Sequence, residues 1–232
     1  MSEPKPSAAG HHHRKSAVQS VATVVITVSD TRTPETDTGG QCVAQLLEAA
    51  GHPVRAREIV KDDPAAIAGA LRAALERGDV GAVVLTGGTG VAPRDVTPES
   101  VEPLLDRVVP GFGELFRALS YQEIGSAALL SRGLAGIASG VVVFVLPGSR
   151  GAVQLAMEKL ILPELGHLVA QAVKKRSISA GVVSRPRLTR IAVMASSISI
   201  PIASRTWLAE TFPEEQAEPA LTAIPARSRA MT

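Results

Sequence analysis

Val83-Val84-Leu85-Thr86-Gly87-Gly88-Thr89-Gly90-Val91-Ala92-Pro93-Arg94-Asp95-Val96-Thr97-Pro98-Glu99 is the stretch on which the reading of this chain turns. An apolar run empties into a glycine-rich turn, and an Arg-Asp pair and a helix start follow. The glycines let the backbone approach a ligand closely and point its N–H groups inward. Thr97 reads as the N-cap and Pro98 as the first helical residue, and helix N-termini favour anions, phosphates above all. The stretch lacks the Gly-Lys-Ser/Thr ending of a P-loop and the Gly-x-Gly-x-x-Gly spacing of a dinucleotide fold. A plain strand-to-helix turn is the other reading of such glycines. Arg94 beside Asp95 favours the ligand reading, because nucleotide chemistry needs a cation for phosphate and a carboxylate for Mg²⁺.

Working outward, strands alternate with helices. Val21 to Val28 is β-branched and apolar, as a buried parallel strand requires. Gly39 to Ala50 reads as a helix closed by Gly51, His52 to Val60 as a strand, and Asp63 to about Gly78 as a helix. Ala82 to Leu85 is the strand that feeds the glycine loop. Helices are expected over Thr97–Asp106 and most of Ala118–Leu130, and a strand over Val141–Leu146. Two more helices, Ala152–Leu162 and Leu165–Lys174, are expected to be interrupted at Pro163. The pattern predicts an α/β fold, a three-layer sandwich with a mostly parallel central sheet and helices on both faces. Ligands bind such sheets beyond the carboxyl ends of the strands. Ser29-Asp30, Thr86 to Gly90 and Pro147 to Ser149 all follow strands, so they are expected to meet at one edge.

Residues 1–19, rich in Pro, Ser, Ala, Gly and basic side chains, read as a disordered tail, and His11-His12-His13 as a solvated part of it. Residues 20–176 form the expected domain, and 177–232 a largely irregular extension in which Ile191 to Ala195 reads as a further strand or an exposed apolar segment. A net charge of +2 over 232 residues and an aromatic content of 3% give no case for a nucleic-acid partner. Cys42 is the only cysteine, which excludes an internal disulfide, and its apolar helical setting predicts a buried thiol. His52 and His167 have no partners at ligand spacing, so no zinc site is expected. No run of about twenty apolar residues is present, and no hydrophobic leader precedes the first strand, so a cytoplasmic protein without a membrane partner is expected.

The loop has a relative. Thr86-Gly87-Gly88-Thr89-Gly90 with Arg94-Asp95-Val96-Thr97-Pro98-Glu99 resembles the signature of the molybdenum cofactor biosynthesis domain, the MoaB/MogA family, to which a domain of gephyrin is related. A second block, Gly111 to Gly125 with Ser131 to Gly136, resembles the MoaB branch more than the MogA branch. Val145 to Ser149, Ala152-Val153 and Pro163 to His167 make a third. The resemblance spans roughly residues 20 to 172. It implies adenylylation of molybdopterin by Mg-ATP with release of pyrophosphate, or, in the same pathway, a non-catalytic molybdopterin carrier. It also implies a homotrimer or a hexamer of two trimers, and a MoeA-type insertase as a further partner. The aromatic segment Phe112 to Tyr121 reads equally as an oligomer contact or as core.

The resemblance also implies a site. Asp95 matches the family's aspartate after the glycine loop and is assigned to Mg²⁺ or to the reacting phosphates; a capping carboxylate is its structural reading. Asp62 matches the first acidic residue of the family's Pro-Asp-Glu motif, with Lys61 in place of the proline and Asp63 in place of the Glu. Asp63 before Pro64 is an ordinary helix cap, so Asp62 is taken as the catalytic and Mg²⁺-binding carboxylate. Ser29 and Asp30 match a motif that lines the pterin or nucleotide pocket, with a turn-forming Ser-Asp pair as the other reading; Thr86, Gly87, Gly88, Thr89 and Gly90 match the same pocket, and Ser139 matches a pocket serine. The turn Pro147-Gly148-Ser149 either brings backbone N–H groups to the pterin phosphate or is ordinary strand-to-helix punctuation. Arg94 is a phosphate clamp or a surface ion pair, and Arg132 faces an anion or an interface. Asp37-Thr38-Gly39-Gly40 resembles the family's Asp-x-Ser-Gly, with Gly39 where the serine is usual, so one hydroxyl contact to the ligand is missing.

Overall fold

The computed structural model describes residues 18–179. Six strands form one sheet: β1 (Thr23–Val28), β2 (Val54–Val60), β3 (Ala82–Thr86), β4 (Arg107–Val108), β5 (Leu134–Ala138) and β6 (Val141–Leu146). Their order is β2-β1-β3-β6-β5-β4. The first four are parallel, and β5 pairs antiparallel with β6 on one side and with β4 on the other. The helices are α1 (Thr38–Ala49), α2 (Pro64–Glu76), α3 (Thr97–Val101), α4 (Pro110–Ile124), α5 (Arg150–Ala156) and α6 (Leu162–Ser179).

Alternation along the central strands builds two cores. Val25, Val84 and Phe144 face Val43, Leu47, Phe116 and Val153 from α1, α4 and α5. Val24, Ile26, Val83, Leu85 and Val143 face Ile67 and Leu71 from α2, and Val101 at the end of α3. Each fully buried Leu, Val or Phe contributes roughly 1.5–3 kcal/mol. Because both faces are covered, the strands read as continuous apolar runs, and the expected three-layer α/β sandwich is the architecture found. Cys42 is buried within the first core, as its pattern predicted.

Several local expectations are corrected. The helix placed at Ala118 begins at Pro110 and runs to Ile124, with a 3-10 segment from Gly125 to Leu130. Gly111 and Gly113 hide the start in the sequence, yet Gly113 is where α4 meets the chain before β5: a Cβ there would lie 2.9 Å from the Gly133 carbonyl oxygen. Strands β4 and β5 were not expected. One has two residues, and the other contains Gly136, where a Cβ would come within 2.6 Å of the Arg107 carbonyl oxygen. Pro163 does not interrupt the last helix. A π-turn over Met157–Ile161 widens the helix one turn before it, and the Leu162 N–H donates to the Met157 carbonyl. That turn accommodates a ring that would clash in a regular α-helix. The expectations for residues 1–17 and 180–232 lie outside the described residues.

His52 fastens the start of the sheet. Its buried ring accepts a hydrogen bond at Nδ1 from the Val21 N–H (3.1 Å). Burial lowers its pKa from the usual 6.5. A depressed folded pKa means that the unfolded chain binds the proton more readily, so the stability it supplies is complete above 6.5 and is lost as pH falls from there through the folded value. The urea midpoint of the parent is expected to drop between about pH 7.5 and about pH 5. His52→Leu is expected to lose about 1–3 kcal/mol at neutral pH, from the unpaired Val21 N–H, and to show a flatter pH dependence.

Candidate functional site

Strands β1, β3 and β6 end in step, with Thr27 opposite Thr86 and Thr86 opposite Leu146. Their following loops therefore leave side by side. Chain order turns from β2 on one side of β1 to β3 on the other, the switch point where a crevice opens in a parallel sheet. The Gly87 N–H donates to the Leu146 carbonyl (3.0 Å), and the Thr86 hydroxyl donates to the Pro147 carbonyl (3.0 Å). Gly87 sits at φ +106°, and a Cβ there would strike the Val28 carbonyl. Only glycine lets the three loops close on one another at this point. The expected convergence of Ser29-Asp30, Thr86–Gly90 and Pro147–Ser149 is observed.

Two cavities flank the glycine loop. One, about 320 Å³, is lined by Thr27, Ser29, Arg32, Asp37, Gly39 and Thr86 among others. The second, about 370 Å³, lies between the loop and α4, with Asp95, Phe116, Ser120, Ile124 and Ser131 in its wall. Gly87, Gly148 and Ser149 belong to both.

The acidic side chains gather beside this loop. The Asp62 backbone N–H donates to Asp30 Oδ1 (3.3 Å). Asp62 Oδ1 is buried with no hydrogen-bond partner, and it lies against Gly88: a Cβ there would be 2.7 Å from it. Burial raises the Asp62 pKa above the ordinary 3.8, the charges of Asp30 and Asp95 raise it further, and Arg94 opposes them. Arg94 is exposed and makes no ion pair among the described residues, which leaves its guanidinium open to an anion. Asp95 is tucked under the loop, accepting from the Ala92 N–H at Oδ2 (2.9 Å), and Gly90 leaves the room it occupies. Asp63 is the α2 cap, accepting from the Ala66 N–H (2.8 Å).

Two expected roles change, at Thr97 and Ser139, while Ser29 lines the first cavity and forms the turn that is its other reading. Thr97 is not a cap: Val96 holds that position without a side-chain bond, and the Thr97 hydroxyl is buried and unpartnered. Ser29 builds its own turn, its hydroxyl accepting from the Thr31 and Arg32 N–H groups (3.2 Å each). Ser139 does not reach this edge. It occupies the β5–β6 hairpin turn with Gly140, at φ +51°, and its N–H donates to Asp106 Oδ2 (2.7 Å). That turn precedes β6, whereas the cavities follow its far end, a strand length of about 20 Å away.

For other site residues the sequence marked the position but not the partners. Asp37 is buried, capping α1 through the Gly40 N–H (2.8 Å) and accepting from the Thr27 hydroxyl (2.9 Å) and from Arg57 (3.2 Å). An Asp before Gly-rich helical residues signals the cap, but Arg57 arrives from another strand. Arg132 is engaged within its own chain: its Nε donates to the Gly90 carbonyl (2.8 Å), its other nitrogens to the Asp95 carbonyl and the Glu99 carboxylate. It braces the glycine loop from the β5 side. Ser120 and Ser131 lie in the second block of the resemblance, but nothing in the sequence marked them as part of a cavity wall.

Residues 24–167 match the family model described as a probable molybdopterin binding domain. The chain belongs to this molybdenum cofactor biosynthesis family. It is 50% identical over 165 residues to molybdenum cofactor biosynthesis protein B of Halalkalibacterium halodurans, which covers 71% of this chain and 97% of that protein. A crystal structure of a molybdenum cofactor biosynthesis protein B superposes with a TM-score of 0.66 at 52% identity, over 67% of this chain and 97% of that one. The molybdopterin biosynthesis Mog protein of Mycobacterium ulcerans superposes at 0.60 with 30% identity, over 66% and 99%. The higher identity to the B proteins agrees with the MoaB-like middle block. No helix among the described residues is long and apolar enough to cross a membrane.

Arg132→Ala is expected to speed amide hydrogen exchange across residues 87–95 far more than it lowers the global melting temperature. Arg132→Lys is expected not to restore protection, because one ammonium cannot span carbonyls that a guanidinium fork reaches together.

Proposed function

We propose that this chain adenylylates molybdopterin: a phosphate oxygen of the pterin attacks the α-phosphorus of ATP, the bond to the β-phosphate bridge breaks, and pyrophosphate leaves. The observation that carries this reading is the pair of cavities sharing Gly87, Gly148 and Ser149. Two ligands seated there place their phosphates at one loop, beside Asp62, Asp95 and Arg94. Such a transfer needs positioning and charge neutralisation rather than a protein nucleophile.

The donors fit Mg²⁺. Asp62 keeps its Oδ1 buried and has Oδ2 to offer the ion, and Asp95 stands near it. Among the described residues no three acidic, His or Cys side chains form a metal cage. That suits an ion that takes one or two carboxylates and completes its shell with phosphate and water. Mg²⁺, when bound, neutralises phosphate charge. Arg94 clamps phosphate oxygens, the loop N–H groups orient them, and Arg132 keeps the loop in shape.

The helix α4 divides its apolar residues: Phe112 and Phe116 enter the core, while Leu115, Tyr121 and Ile124 are exposed, as are Leu129 and Leu130 just beyond it. Further copies of this chain, in a homotrimer or a hexamer, cover this face in the proposed assembly. A MoeA-type insertase takes the adenylylated product in this reading.

Turnover of molybdopterin with Mg-ATP tests the reaction. The parent is expected to form adenylylated pterin and pyrophosphate, and Asp62→Ala and Asp95→Ala to lose at least about a hundredfold in kcat. Binding of pterin without product would replace this reading with that of a carrier. Because the Asp62 pKa of the free protein is raised, the acid limb of the kcat/KM profile, which reports the free protein, is expected above 3.8, moving higher in Arg94→Ala. Leu129→Glu is expected to reduce the mass seen by light scattering; a monomeric parent would refute the assembly.

A further inference from the structure

Asp62 Oδ1 and Thr97 Oγ1 are both buried without a hydrogen-bond partner, and they belong to one place. Thr97 is fully buried, and its N–H donates to the Gly88 carbonyl (3.1 Å), which pins it beneath the glycine loop. Gly88, at φ +61°, faces both oxygens: a Cβ on it would stand 2.7 Å from Asp62 Oδ1 and would strike the Thr97 hydroxyl. The absent Cβ leaves the carboxylate and the hydroxyl looking into one small space.

Nothing local uses the Thr97 hydroxyl. Hydroxyls in helices commonly donate to the carbonyl four residues back, as Ser100 does to Val96 (2.7 Å). Thr97 opens its helix, so no helical turn lies behind it. A buried hydroxyl without a partner lowers stability, and valine would fill the same volume without that loss. The hydroxyl therefore costs the free fold something, and its reward lies in the bound state.

We propose that Thr97 is a positioning residue for Asp62. With Mg-ATP bound, the Thr97 O–H donates to Asp62 Oδ1, holds that oxygen inward and turns Oδ2 toward the ligand. The two oxygens do not meet hydrogen-bond geometry in the free protein, so the bond forms as the Asp62 carboxylate turns on ligand binding, and fixing the carboxylate plane is how a group behind a metal-binding carboxylate raises its affinity. The inference rests on the proposed function only through the role of Asp62 toward Mg-ATP.

The test compares the full chain with Thr97→Val and Thr97→Ser by calorimetric titration with Mg-ATP, thermal melting and turnover. Thr97→Val is expected to melt at or above the parent temperature while binding Mg-ATP about tenfold more weakly, the order expected for one hydrogen bond to a charged group. Thr97→Ser is expected to bind within about twofold of the parent. The proposal is overturned if Thr97→Val binds as the parent does, if it melts well below the parent, or if Thr97→Ser is as weak as Thr97→Val. A parent that binds Mg-ATP without turnover, with the same valine and serine contrast, would sink adenylylation and leave Thr97 in its role. A parent that binds no Mg-ATP would overturn both.

Discussion

The junction of Gly87 with its two neighbours is the constraint on which the site depends. Its N–H is held by the Leu146 carbonyl, and its Cα passes so close to the Val28 carbonyl that no side chain fits. Strands β1, β3 and β6 must therefore end at the same level, and the three loops that follow must share one crevice. The two apolar cores serve this arrangement. They fix the heights of the strands from both faces, so the loops inherit a rigid base.

Around that junction, charged groups act as structural braces on one side and stay open on the other. Arg132 spends its guanidinium on loop carbonyls and Glu99, and Asp37 is committed to the α1 cap, Thr27 and Arg57. Arg94, Asp62 and the Thr97 hydroxyl are not so committed. The same sheet edge thus separates residues that hold the loop from residues with unused bonding capacity, and of the latter Asp62 and Thr97 meet at Gly88. Carboxylates pressed together with partial burial, as at Asp62, are unfavourable in the free protein and become favourable when cations or phosphate-bound metal arrive.

Much of the fold was legible. The β-branched runs at Val24–Val28 and Val141–Leu146 and the glycine loop after Leu85 follow from period and composition, and with them the parallel sheet and the meeting of three loops. Asp63-Pro64 announced its cap. The shorter antiparallel strands were illegible because Gly136 and Gly133 serve contacts with distant backbone, which leaves no local pattern. The start of α4 was hidden for the same reason at Gly113. Thr97 before Pro98 looked like a cap, yet the N–H bond to Gly88 draws it one position into the helix. Ser139 matched a motif, and only the strand direction shows that it lies at the wrong end of β6.

By itself the sequence determined the layered α/β architecture, the glycine loop after β3 and the family, because these rest on periodicity and on residues adjacent along the chain. Tertiary structure alone decided which polar groups are spent and which remain. Arg132 reaches Gly90, Arg57 reaches Asp37, and Asp62 and Thr97 face one another over Gly88 from segments far apart in the chain. Hydrogen-bond satisfaction is a property of three-dimensional neighbours, so the state of a buried hydroxyl or carboxylate is written in the packing and not in the order of residues.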